Sequence, residues 1–201
     1  MKTYFKFLTI LAVAVLIAAP AVATASGDHS TVNKSINLDD NTTAGDLDSV
    51  NGSIRVGANS FIESAESVNG SIKLGNDVTV DGGIDTVNGS ITLQPGCAVA
   101  GKVETVNGGI KLDNTRVAGD IETINGHLQI LNGSEVTGNV RVRKPGGWNF
   151  SKRNKPVRVE IGQDVVVHGD LIFEHPVELK LHDSARIGEV IGDEVTMVGE
   201  S

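Results

Sequence analysis

One segment of the sequence concentrates the residues that recognise charged ligands. Arg141 to Arg158 holds seven basic residues (Arg141, Arg143, Lys144, Lys152, Arg153, Lys155 and Arg158) and no acid. It also holds the single tryptophan, Trp148, and Phe150 two positions on. Cations interleaved with aromatics suit an anionic polymer or headgroup, by charge pairing and stacking. Arg143, Lys144, Trp148, Phe150, Lys152, Arg153 and Lys155 are therefore the expected ligand-binding residues. The alternative is that Trp148 and Phe150 fold back onto the body of the protein while the cations neutralise an acidic face.

That acidic face is also legible. Asp48, Glu66, Asp85, Glu104 and Glu122 each stand three residues before a recurring asparagine. Stacked carboxylates repel one another unless a cation offsets them. The expectation is a solvated face, partly balanced by Arg55, Lys73 and Lys111 on a neighbouring column. A rank of hydroxyls follows at Ser49, Ser67, Thr86, Thr105 and Thr123. Such ranks can bind ice or a crystalline glycan, and they can equally bond along a stack. His29, His127, His168, His175 and His182 share no repeat position and none pair at metal-ligand spacing, so neither metal nor cofactor is expected. No nucleophile motif marks a Ser/His/Asp set, and no catalytic residue is assigned. Cys97 has Val78 and Val165 as its repeat equivalents, which reads as a small buried thiol.

The elements that position these residues come from a repeat. Val-Asn-Gly-x-Ile recurs, with asparagines at 33, 51, 69, 88, 107 and 125, so the steps are 18, 18, 19, 19 and 18. A second patch, Val-x-Gly-x-Ile, recurs from Val80, Val99, Val117 and Val136. Both alternate with period two and read as short half-buried strands. Asn-Gly between strands would suit a hairpin, but a hairpin array need not keep one register through every copy. A coil stack must. The chain is thus expected to be an all-β, single-domain parallel β-helix (a β-solenoid) of about 18–19 residues per coil. Seven or eight coils would make a rod on the order of 35 Å long at strand spacing.

In that stack Ile54, Ile72, Ile91, Ile110 and Leu128 form one internal column, Val56, Leu74, Leu93, Leu112 and Ile130 a second, and Val80, Val99, Val117 and Val136 a third. The corners are Asn51-Gly52, Asn69-Gly70, Asn88-Gly89, Asn107-Gly108 and Asn125-Gly126. Their glycines are expected in left-handed backbone, and their asparagines in an amide ladder. From Val136 to Val167 is 31 residues, more than one coil. The excess, 143–156, reads as a projecting loop, with Pro145-Gly146-Gly147 as its turn. Residues 188–201 read as a cap over the open end.

Whole-chain properties bound the setting. Residues 1–25 read as a cleaved signal peptide: Lys2 and Lys6, an apolar run, then Ala23-Thr24-Ala25. Residues 26–201 are the solenoid domain, with no later segment able to span a membrane. Cleavage changes the charge from 17 − 25 = −8 to 15 − 25 = −10, which disfavours nucleic acid as a partner. One cysteine excludes an internal disulfide, so an exported chain must be held by stacking instead.

With its signal peptide, Val-Asn-Gly-Ser-Ile and Val-x-Gly-x-Ile, the chain resembles the bacterial adhesin-like β-solenoid family of unassigned function, over 31–142 and more loosely to 187. The resemblance implies an envelope location and adhesion, and supplies no catalytic residue. The chain is more distantly similar to bactofilins, solenoids that polymerise end to end, although those lack a cleaved signal. The hexapeptide acyltransferases share the architecture, but their six-residue rhythm and histidine motif are missing here. The expected function is an exported, non-enzymatic binding or scaffold protein, periplasmic or at the cell surface, whose partner is an anionic envelope polymer or glycan. The alternatives are a structural solenoid that self-associates end to end, and a polysaccharide-processing β-helix enzyme. The last would need an acid or base in a groove built by long loops.

Overall fold

The computed structural model describes residues 25–144 and 155–199. The leader and most of the basic insertion, including Trp148, Phe150, Lys152 and Arg153, lie outside the described residues.

The repeat folds as a three-sided coil. In one turn Thr79–Val80 lies in sheet A, Ile84–Thr86 in sheet B and Ile91–Leu93 in sheet C. All pairing is parallel, and the three sheets hold eight, nine and nine strands, about eight turns of a β-solenoid. No described residue is helical. The register places like on like: Ile91 pairs with Ile72 and Ile110, and Leu93 with Leu74 and Leu112. The internal columns anticipated from the sequence are therefore present. Val80, Val99, Val117 and Val136 form a third, in sheet A.

The Val-x-Gly-x-Ile patch is not one strand, as alternation alone suggests. Val80 ends a sheet A strand and Ile84 begins a sheet B strand, with a bend over 81–83. The bend lets both side chains enter the same core from two sides, and both are buried. One turn thus buries Val78, Val80, Ile84, Ile91 and Leu93. At roughly 1.5–3 kcal/mol per fully buried aliphatic side chain, repeated over every turn, stacking holds the rod together without a disulfide.

The corners differ in how they are made. Between sheets C and A the backbone is left-handed, at Asn41, Asn59, Asp77, Gly96, Asn114, Asn132 and Asp164. Asn, Asp and Gly are the residues that tolerate this region. The Asn-Gly corner between sheets B and C is different. Its glycines do not have positive φ, contrary to the expectation. They are required because a Cβ on Gly70, Gly89, Gly108 or Gly126 would collide with the carbonyl of the glycine one turn below. The asparagines do form the ladder: each Nδ2 of Asn51, Asn69, Asn88, Asn107 and Asn125 donates to the preceding Oδ1 at 2.9–3.0 Å.

The insertion leaves at this same corner. Val140–Val142 ends in sheet B and Val157–Ile161 resumes in sheet C. Leu128 pairs directly with Val159, so the stack continues from one turn to the next across the longer chain segment. At the far end Val190–Ile191 and Val195–Met197 add a last, partial layer. It covers the turn below and leaves Val190, Ile191, Met197 and Val198 exposed.

Candidate functional site

Sheet B carries the most developed surface feature. Along Ile84–Thr86 the side chains alternate in, out, in. The outward residue is Asp85, which pairs in register with Glu66 below and Glu104 above. Asp48 and Glu122 extend the rank. Thr86 and its equivalents Ser49, Ser67, Thr105 and Thr123 point inward and are buried. Four of them donate to the corner carbonyl one turn below: Ser49 to Lys34, Ser67 to Gly52, Thr86 to Gly70 and Thr105 to Gly89, at 2.9–3.3 Å. The hydroxyl rank is a structural tie with no face toward solvent. Thr123, at the next level, is buried with its Oγ1 lacking a partner among the described residues.

Because the hydroxyl turns inward, the following valine must turn out. Val50, Val68 and Val87 are 40–42% exposed. Carboxylates and valines thus run side by side up the rod, two residues apart on each turn. Between them lies an open groove of about 980 Å³, lined by Asp48, Val50, Glu66, Val68, Asp85 and Val87 among others.

The groove is electrically uneven. Lys102 makes a close hydrogen-bonded pair with Glu104 and lies 3.7 Å from Asp85. Its ammonium pKa is raised by that bond to Glu104, against the opposing effect of burial. Burial pushes the Asp85 carboxyl above its ordinary range; Lys102 opposes this, and the Glu104 and Glu66 charges add to it. Higher up, Arg141 bridges Asp120 and Glu122, which raises its own pKa, first through the Glu122 bond. Arg143 pairs with Glu122 at 3.1 Å. Lower down the situation differs. Asp48 accepts a hydrogen bond from the Ser30 hydroxyl at 3.2 Å, and neither Asp48 nor Glu66 meets a cation among the described residues.

Arg55, Lys73 and Lys111 do not balance this rank, contrary to the sequence expectation. They pair in register with one another, through Thr92, on the outer face of sheet C. The Asn-Gly corner separates the two columns, so alternation along the chain misled the pairing of charges across it.

The described part of the basic insertion is rooted firmly. Val142 and Val157 are buried at its two ends, and Arg143, Lys144 and Lys155 are exposed. The Lys144 N–H donates to the Glu174 carboxylate at 3.2 Å. Arg141, Arg143 and Arg158 are engaged by Glu122, Asp120 and Glu178, so part of the segment's charge neutralises its own rod.

Other reactive groups are spent on structure. Burial pushes the Cys97 thiol up to about 11, and its Sγ donates to the Gly75 carbonyl at 3.0 Å. The His127 Nδ1 accepts from the Arg158 N–H, and His168 Nε2 contacts Glu135 at 2.8 Å. Asp28, Asp46 and Glu63 bring carboxylate oxygens within 4.8 Å of one another at the first turns, a grouping absent from the sequence reading. Asp28 accepts from the Asp46 N–H and Asp46 from the Ser64 hydroxyl, so these acids already serve as acceptors between turns. Among the described residues no helix is long and apolar enough to cross a membrane.

Compared with protein-family models, curated proteins and solved structures, the chain finds no match in any of the three.

Proposed function

We propose that the chain is an exported, non-enzymatic β-solenoid that acts as an adhesin-like binding scaffold at the bacterial envelope. The basic, aromatic insertion 143–156 is its contact for an anionic polymer or glycan. The observation that carries this reading is the way the segment is mounted. It emerges between two buried residues, Val142 and Val157, on neighbouring sheets of a rigid stack. Rigid mounting lowers the ordering cost of binding, and recognition residues commonly sit on loops held by such scaffolds.

The test is capture of the purified protein on anionic lipopolysaccharide. Trp148→Ala with Arg153→Ala is expected to lower capture at least about tenfold, as for loss of an aromatic and an arginine anchor. Wild-type capture should weaken with salt, and the variant's melting temperature should not change. Unchanged capture by the variant refutes the assignment.

A second reading is end-to-end assembly. The last layer exposes Val190, Ile191, Met197 and Val198 beside a strand edge with no further strand among the described residues, and such edges are templates for another chain. Met197→Lys would abolish particles seen by light scattering if this reading holds.

A further inference from the structure

We propose that the acidic groove of sheet B is a docking surface for a second copy of this chain, which seats the Arg55, Lys73 and Lys111 column of its sheet C there. This inference stands apart from the envelope-binding reading, because it uses neither the insertion nor the end layer.

Asp48, Glu66, Asp85 and Glu104 rise one strand spacing per turn on sheet B. Arg55, Lys73, Thr92 and Lys111 rise by the same spacing on sheet C, turn for turn. Two columns built on one hydrogen-bonded stack share its repeat of about 4.8 Å. Parallel rods laid side by side therefore keep every level in register, which an unrelated cationic chain would not do.

The charges also match at the two lower levels. Arg55 and Lys73 are exposed and meet no acid among the described residues. Their levels are those of Asp48 and Glu66, which meet no cation among the described residues. At the next level sheet C carries the uncharged Thr92, and there Asp85 is already attended by Lys102. Above Lys111 the column turns to Gln129, and there Glu122 is held by Arg141, outside the insertion. At the Arg55 and Lys73 levels the acids meet no cation among the described residues, whereas at the Lys111 level Glu104 is already paired with Lys102, so the two lower levels carry the match.

The lining fits the shape of these side chains. Lysine and arginine carry an apolar stem behind a charged head. The groove offers a valine lane at Val50, Val68 and Val87 beside the carboxylate lane. A stem laid on the valines would carry its head to the acids and cover apolar surface that is otherwise wet. Individually such exposed pairs are modest, so the contact depends on several aligned levels and is salt-sensitive.

The interface joins two different faces, so it is heterologous. It closes into a ring if the rotation between copies allows and otherwise extends laterally. In either case mass rises with concentration.

Sedimentation velocity of the purified protein tests this across a concentration series. Association is expected at low salt, where the Debye length is about 30 Å, and loss of it near 1 M salt, where it is about 3 Å. Glu66→Lys and Lys73→Glu are both at exposed positions. Each alone is expected to weaken association at least about tenfold, because like charges then face each other. The double reversal is expected to return it to within about threefold of wild type. Deletion of 143–156 and Met197→Lys should leave it unchanged. A single monomeric mass at every concentration and salt overturns the proposal. So does association that ignores the single reversals, that the double reversal fails to restore, or that disappears with the insertion or with Met197→Lys. The last two results would assign it to the loop or to the end layer. Lipopolysaccharide capture by the Trp148 and Arg153 variant is read separately, so either conclusion can fail alone.

Discussion

Replacing Gly89 separates two physical accounts of the Asn-Gly corner. A Cβ there would collide with the Gly70 carbonyl and come within 2.9 Å of the Ser71 nitrogen. Both are backbone atoms of the turn below, so no flexible side chain can yield. The carbonyl that must move is also the acceptor for the buried Thr86 hydroxyl, at 2.9 Å. Overpacking of a tight site costs about 1–3 kcal/mol. Leaving a buried hydroxyl unsatisfied adds about 1–3 kcal/mol. Relaxation lets the two share one displacement, so Gly89→Ala is expected to cost about 3 kcal/mol. Gly89→Asn should cost at least as much, because its Cβ meets the same carbonyl. A left-handed corner predicts otherwise: about 1–2 kcal/mol for alanine, and less for asparagine, which tolerates that region. The assay is urea unfolding of wild type and both variants, followed by circular dichroism. Equal slopes are needed before midpoints are compared, because coil stacks can lose cooperativity. A cost below about 1 kcal/mol for alanine, or a milder effect for asparagine than for alanine, would refute the crowding account.

Two further predictions rest on single groups. The Asp85 pKa is raised above 3.8 in the folded protein, so the native state binds its proton more tightly than the unfolded chain. Ionisation at neutral pH is then a destabilising contribution, relieved as pH falls through the raised pKa. Asp85→Asn should therefore raise the melting temperature at pH 7, with an advantage that shrinks toward zero below pH 3.8, and melts at the two pH values check the sign. Cys97, buried with its pKa pushed up to about 11, should react with iodoacetamide only after unfolding, because the thiolate is the reactive form. Cys97→Val, which copies Val78 and Val165 one turn below and several above, should change stability by less than about 1.5 kcal/mol.

The positions of the asparagines, read with their glycines and aliphatics, determined the all-β coil stack, its period, the internal columns at Ile91 and Leu93, and the amide ladder. The physical reason is that parallel stacking turns sequence period directly into spatial register, so equal positions must meet. Which way each side chain points at a corner is not encoded by period. Alternation from Ile84 carries Thr86 into the core and Val87 out, and the corner between Val87 and Ile91 resets it so that Ile91 enters the core. That arrangement built the groove, which no residue type announces. It also moved Arg55, Lys73 and Lys111 onto another face from the acids they were expected to balance. The Asn-Gly glycine was legible as a requirement, while its cause was not. Whether a glycine serves φ or close approach depends on the atom of the next turn that stands opposite it, here the Gly70 carbonyl. Local sequence carries no record of that atom; the closed coil, with its spacing fixed by hydrogen bonds between turns, puts it there.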